Sequence, residues 1–197
     1  DHVESVVRLA ESLGAGSVKF NVLQPAGRGE RIWRDGDSLT VGEYLELFRW
    51  IENTLAPTTE LRLFCDYPMA FRPLGRVLGR EGDGCGACGI HGIIGVLADG
   101  RYALCGVGET TPDLVLGSHP RDRLCAVWRD APVLRAVREG IPFNLKGICS
   151  ECVLNRLCLG SCVAQNYCRS GDLLSPFWFC EEAEKLGLFP ESRRIGR

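Results

Sequence analysis

The sequence predicts an α/β half followed by a small α+β half that is rich in cysteine. Residues 1–64 contain no cysteine, whereas all 11 cysteines lie between Cys65 and Cys180. Helical and strand patterns alternate in the first half, while the second half has short strands, glycine-rich turns and few long helices. We therefore predict a first unit at 1–70, a linker at 71–84, a cysteine-rich domain at 85–189 and a tail at 190–197.

Two helices and two strands are predicted in the first unit. Apolar residues recur at helical spacing over residues 2–13, and strand alternation follows over 17–23 and again over 60–66. Thr40-Val41-Gly42-Glu43 has the form of a capping box, so the second helix should begin there and run toward Pro57. The order helix, strand, helix, strand predicts parallel strands with helical crossovers.

A hairpin is predicted around Asp99-Gly100, because this dipeptide favours a two-residue type I′ turn. In that register Ala98 pairs with Arg101, and Cys105 lies opposite Ile94. The chain that follows Cys88 would then enter at the open end where Cys105 leaves. Short helices are predicted from Pro132 to Gly140 and from Glu181 to Leu186.

Charge and composition exclude several classes of function. Lys plus Arg total 23 against 25 Asp plus Glu, so the net charge of −2 gives no attraction to nucleic acid or anionic membranes. The longest apolar-rich stretch, 85–98, is interrupted by glycines and is shorter than the roughly 20 residues that cross a bilayer. The N-terminus resembles no secretory signal, so a cytoplasmic location is expected, and the Arg193-Arg194 tail is expected to be solvated.

The cysteine spacing is the most specific signal in the chain. Four thiols form the run Cys149-x2-Cys152-x5-Cys158-x3-Cys162, and Cys180 follows. Upstream stand Cys85-x2-Cys88 and Cys88-x11-Gly100-x4-Cys105. In a reducing compartment such thiols are more often metal ligands than disulfides, and spacing alone leaves zinc and iron-sulfur clusters open.

The ordered pattern from Cys88 to Cys180 resembles the seven-cysteine signature of the SPASM domain, the C-terminal extension of radical SAM enzymes that mature peptides and proteins. The run Val18-Lys19-Phe20-Asn21 is similar, less specifically, to a late strand of the radical SAM partial barrel. The resemblance therefore implies a partial-barrel fragment at 1–70 and a SPASM domain at 85–189, with a hairpin and short helices around two clusters.

Two auxiliary 4Fe-4S clusters are implied by this resemblance. The implied ligands are Cys85, Cys88, Cys105 and Cys162 for the first cluster, and Cys149, Cys152, Cys158 and Cys180 for the second. The remaining thiols, Cys65, Cys125 and Cys168, are expected to be small buried hydrophobes, with Cys168 the one plausible substitute ligand. Lys19 and Asn21 share a strand face and are candidates to face cofactor or substrate.

The motif Cys-x3-Cys-x2-Cys, which holds the radical-generating cluster in this family, is absent from the sequence. We therefore expect this chain to be the C-terminal part of a longer enzyme, or a split subunit that works with an N-terminal radical SAM half. The parent would use S-adenosylmethionine and a third 4Fe-4S cluster to modify a peptide or protein. Its electron donor would be a protein such as ferredoxin or flavodoxin.

Two other functions fit the same cysteines. Paired Cys-x2-Cys knuckles are also typical of a zinc-stapled interaction module. A small iron-sulfur protein that transfers electrons on its own is the other alternative. In the family that the sequence resembles, this part of the chain would transfer electrons and dock the substrate.

Overall fold

The computed structural model describes residues 2–27, 29–79 and 87–196. It is a mixed α/β structure with two small sheets. The helices are α1 (His2–Ser12), α2 (Gly29–Arg34), α3 (Val41–Trp50), α4 (Leu74–Leu78), α5 (Leu124–Asp130), α6 (Pro132–Gly140), α7 (Asn155–Cys158), α8 (Val163–Ser170) and α9 (Trp178–Lys185). The strands are β1 (Ser17–Asn21), β2 (Arg62–Asp66), β3 (Gly95–Val96), β4 (Arg101–Ala103) and β5 (Val115–Ser118).

The predicted helices and strands of the first unit are present in the predicted order, and the short helix α2, which was not predicted, lies between β1 and α3. Strands β1 and β2 pair in parallel, from Ser17 opposite Arg62 to Asn21 opposite Asp66. Both components of the predicted capping box at α3 are present: the Thr40 hydroxyl accepts from the Glu43 amide at 3.3 Å, and the Glu43 carboxylate accepts from the Thr40 amide at 2.8 Å. The chain then continues through a π-helical turn at Ile51–Leu55 and a 3-10 turn toward β2.

The hairpin is present, but its predicted register is wrong by one residue. Gly95 pairs with Ala103 and Val96 with Tyr102, so that the connection has three residues rather than two. Of the turn residues only Gly100 has a positive φ, +83°, whereas a type I′ turn needs two. The Asp99 carboxylate accepts from the Arg101 amide at 3.1 Å, which favours the three-residue turn.

The hairpin nevertheless brings the two ends of this segment together, as predicted. A Cβ at Gly95 would stand 3.1 Å from the backbone carbonyl carbon of Cys105, so the strand that follows Cys88 runs directly against Cys105. Strand β5, which the sequence pattern did not predict, pairs antiparallel with β4 and completes a three-stranded sheet.

The helices of the cysteine-rich half agree in part with the predictions. Helix α6 has the predicted bounds, and α9 begins at Trp178, three residues before the predicted start. Helices α5 and α8 were not predicted, and α4 lies within the predicted linker, of which 80–84 are outside the described residues. Among the described residues no helix is long and apolar enough to cross a membrane.

One hydrophobic core includes buried residues from both halves of the chain. Helix α9 of the cysteine-rich half packs against α3 of the first unit. The Phe179 side chain, fully buried in this contact, has its ring 6.3 Å from that of Tyr44 and 5.5 Å from that of Phe71. Because Cys180 follows Phe179, the core of the first unit fixes the position of one candidate ligand.

Thr40→Ala should lower the free energy of unfolding by about 1 kcal/mol, because the first turn of α3 loses its side-chain cap. Urea unfolding followed by circular dichroism measures the change. Thr40→Ser keeps the hydroxyl and should remain close to the wild type. Equal stability of Thr40→Ala and the wild type would contradict the assignment of the cap.

Candidate metal centre

Four of the predicted ligands line one small cavity: Cys149, Cys152, Cys158 and Cys180. The other residues that line it are mostly apolar and include Ile148, Leu154 and Phe177. Cys149 and Cys152 lie on a tight turn, Cys158 ends α7 and Cys180 lies on α9. Residues separated by up to 31 positions in sequence therefore meet at one place.

The thiols of this cavity affect one another electrostatically. The pKa of Cys149 is raised to about 11 and that of Cys158 to about 12, chiefly by burial and in smaller part by neighbouring thiols. Burial also raises the pKa of Cys180 well above its ordinary value, with contributions from the other three thiols. These thiols are neutral near pH 7 unless a cation is bound, so metal binding would release protons.

Backbone amides point at the sulfur atoms of this group. The Phe177 amide donates to Cys149 Sγ at 3.4 Å. Burial raises the pKa of Cys152 and Cys158, and nearby backbone amides lower it, that of Leu154 at Cys152 and those of Ser161 and Gly160 at Cys158. The Ser161 amide itself donates to the Cys158 carbonyl at 3.0 Å. Amide hydrogen bonds of this kind stabilise thiolates and tune iron-sulfur clusters.

A left-handed bend explains how Cys158 and Cys162, although close in sequence, belong to different groups. Leu159, Gly160 and Ser161 have φ values of +55°, +76° and +57°. Successive left-handed residues turn the chain sharply and direct neighbouring N–H groups to one side, where a negative group can be bound. Cys158, before the bend, lines the four-thiol cavity, whereas Cys162, after the bend, lines a separate cavity.

The second group of thiols contains Cys88, Cys105 and Cys162. Cys88 and Cys162 line a separate cavity of about 320 Å³. Burial raises the pKa of Cys88 and Cys162, and the charge of nearby Cys105 adds to the shift at both thiols. Nearby backbone amides partly offset the effect of burial on the pKa, that of Ile90 at Cys88 and those of Val107 and Gly108 at Cys105. The Gly108 amide itself donates to the Cys105 carbonyl at 3.0 Å. Cys85, the fourth predicted ligand, lies outside the described residues.

This larger cavity also reaches the ends of the parallel strands, where Lys19 and Asn21 were predicted to face a cofactor or substrate. Lys19 lines the cavity and forms an ion pair of 2.9 Å with Asp66. Asn21 is exposed and does not line it. The aromatic side chains of Tyr67 and Trp178 complete much of the wall. Sequence reasoning missed both, because nothing in their spacing distinguishes them from ordinary core residues.

The cysteines outside the predicted ligand sets differ from one another in exposure. Cys65 lies in β2 and is buried, as predicted. The prediction that Cys125 and Cys168 are buried is wrong, because both lie on the outer faces of the unpredicted helices α5 and α8. The Cys168 sulfur is 3.1 Å from the Thr111 hydroxyl, and its charge also raises the pKa of Cys105.

The C-terminal segment was predicted to be solvated, and this is wrong for Arg194. Its side chain is 12% exposed and pairs with Glu151 at 2.8 Å and with Glu184 at 3.1 Å. The backbone also pairs with the thiol-bearing turn, because the Ile195 amide donates to the Glu151 carbonyl at 2.7 Å. These contacts hold the turn between Cys149 and Cys152 against α9.

The donor set fits an iron-sulfur cluster in its chemistry: thiols, apolar neighbours and amide donors to sulfur. All ten described cysteines are free thiols. Among the described residues, no three His, Cys, Asp or Glu side chains are placed to hold a single metal ion. The four-thiol cavity of about 20 Å³ has room for roughly one water molecule, so its walls must move apart to admit a cluster.

Ser161→Gly should raise the free energy of unfolding by about 1 kcal/mol, because glycine adopts positive φ without the steric cost that serine has there. Ser150→Gly is the matched control. Ser150 has φ −69° and its hydroxyl donates to the Gly147 carbonyl, so this change should lower stability. Urea unfolding of both variants at equal metal content measures the difference, and equal shifts of the same sign would contradict the strained bend.

Comparisons of the chain with protein-family models, with curated proteins and with solved structures find no match. The interpretation of the two thiol groups therefore depends on their geometry and on the cysteine spacing.

Proposed function

We propose that this chain is the auxiliary iron-sulfur part of a radical SAM enzyme that modifies a peptide or protein. Its two thiol groups would each hold a 4Fe-4S cluster, which transfers electrons and helps to dock the substrate. The radical-generating cluster and S-adenosylmethionine would be held by a separate radical SAM segment or subunit.

The observation that carries the proposal is the division of the thiols. Cys149, Cys152, Cys158 and Cys180 share one cavity, whereas Cys162 lies with Cys88 in another. This is the division that the resemblance to SPASM domains implies. If the cysteines served only as small apolar residues, we would not expect Cys158 and Cys162 to line different thiol-containing cavities.

The larger cavity supports the docking role. Its volume of about 320 Å³ is at the lower end of the range for ligand sites. The Lys19–Asp66 ion pair and aromatic side chains lie on its walls, so the cavity offers both charged and apolar contacts. A peptide side chain bound here would lie beside Cys88 and Cys162, two of the thiols proposed to hold the first cluster.

The proposal predicts about eight irons per chain after anaerobic reconstitution, together with a brown colour and an absorption shoulder near about 400 nm. Removing either thiol group should remove one cluster. The double variants Cys149→Ala/Cys152→Ala and Cys88→Ala/Cys105→Ala should each retain about four irons. Elemental analysis and absorption spectroscopy measure these contents.

Cys125→Ala is the matched control, because Cys125 is exposed and lies in neither thiol group; it should keep the full iron content. A colourless protein with stoichiometric zinc from oxygen-free, iron-rich preparations would instead establish the zinc-stapled module. Loss of all iron from each double variant would show a single shared site and would contradict the division into two.

A further inference from the structure

The segment from Phe189 to Ile195, here called the C-terminal strap, closes one wall of the four-thiol cavity. The side chain of Phe189 is buried and lines that cavity. Cys149, Cys152 and Cys180, which line it as well, are also buried. Because a metal site needs a path by which its metal enters, some part of this lining has to be able to move.

Most of the lining is poorly suited to move. The segments 148–160 and 177–180 carry the thiols themselves, so their displacement would separate the ligands. The lining segment 68–70 is followed by the buried Arg72, whose guanidinium donates to two backbone carbonyls and pins the chain there. Phe189 is the part of the lining that carries no thiol and lies outside both of these regions.

Arg194 connects the C-terminal strap to two thiol-bearing segments at once. Its guanidinium pairs with Glu151 on the turn at 2.8 Å and with Glu184 on α9 at 3.1 Å. It also pairs with Glu191 of the strap at 3.3 Å and lies 5.5 Å from the centre of the Phe189 ring. The same group therefore contacts the ring that closes the cavity and the carboxylates on both sides of it.

The backbone gives the strap an attachment on one side and a hinge on the other. The Val153 amide donates to the Arg193 carbonyl at 2.9 Å, and the Ile195 amide donates to the Glu151 carbonyl at 2.7 Å. Between α9 and the strap lies Gly187, with φ +69°. Because glycine is conformationally permissive, a change of backbone angle there would move the strap and leave α9 packed on α3.

The charges around Arg194 favour closure only while the guanidinium is in place. Three carboxylates surround this largely buried cation, so its ion pairs are screened by salt less than those of an exposed arginine. Without the cation the carboxylates of Glu151 and Glu184 would repel each other and that of Glu191. Loss of this one side chain should therefore open the strap.

We propose that the C-terminal strap is a latch over the four-thiol cavity, that Arg194 holds it closed, and that its release gives solutes and metal access to the buried thiols. The covering of the thiols is a property of the chain itself. The role of the latch in inserting a cluster rests on the proposed function.

The test measures how fast each thiol of the reduced, metal-free chain reacts with N-ethylmaleimide, by peptide mapping with mass spectrometry at a low extent of reaction. In the wild type the exposed Cys125 should react fast and the four thiols of the cavity slowly. Arg194→Gln should speed the reaction of the cavity thiols by about tenfold or more, because local opening becomes more frequent. Cys65, buried in β2, should keep its wild-type rate and so reports on global unfolding.

Lys185→Gln is the matched control. It also removes a positive charge beside α9, but the partners of Lys185 are Glu181 and Glu182 of the same helix, so the thiol rates should remain as in the wild type. If Arg194→Gln fails to fold, Glu151→Gln, which removes the carboxylate on the turn, decides in the same way.

Unchanged rates at the cavity thiols in Arg194→Gln would overturn the latch. So would an equal acceleration of Cys65, or a wild-type chain in which the cavity thiols react as fast as Cys125. The iron content of the reconstituted wild type is a separate measurement. Absence of iron would overturn the proposed function and leave the latch standing, so the two failures are distinguishable.

Discussion

The contact between α9 and α3 is the interaction on which the arrangement of thiols depends. Helix α9 carries Cys180 and begins immediately after the amide that donates to Cys149. Its position is fixed by Phe179, which is fully buried against Tyr44 of the first unit and Phe71 of the segment that follows it. Helix α7 has no buried residue of its own, so its position depends on the elements packed around it.

Around that helix, backbone amides near the sulfur atoms favour the ionised form of the thiols. A buried thiol is poorly suited to ionise, and burial accordingly raises the pKa of the thiols in both groups. The amides of Ser161 and Gly160 act in the opposite direction at Cys158, and those of Gln165 at Cys162. The bend between these cysteines thus separates them and supplies donors to the first of them, at the cost of two non-glycine residues with positive φ.

Much of the first unit could be predicted because its signals are local. A capping box at Thr40 and strand alternation over short segments need no knowledge of distant residues. The hairpin register depends on whether Asp99 adopts a positive φ. The hydrogen bond from the Arg101 amide to the Asp99 side chain favours the three-residue turn, and the Asp-Gly dipeptide preference does not reveal this bond. Helix α8 was not predicted because its buried face includes Gln165 and Asn166, polar residues whose hydrogen-bond partners, Trp178 and Gly160, lie outside the helix.

The shared core has a consequence for how this protein can change over evolutionary time. Since the ring of Phe179 packs on Tyr44 and one hydrophobic core includes residues of both halves, the cysteine-rich half would expose apolar side chains if the first unit were taken away. Such a half cannot be exchanged between proteins as an independent cassette. It must be inherited together with the α/β unit that covers it, and substitutions on either side of the boundary must be accommodated jointly.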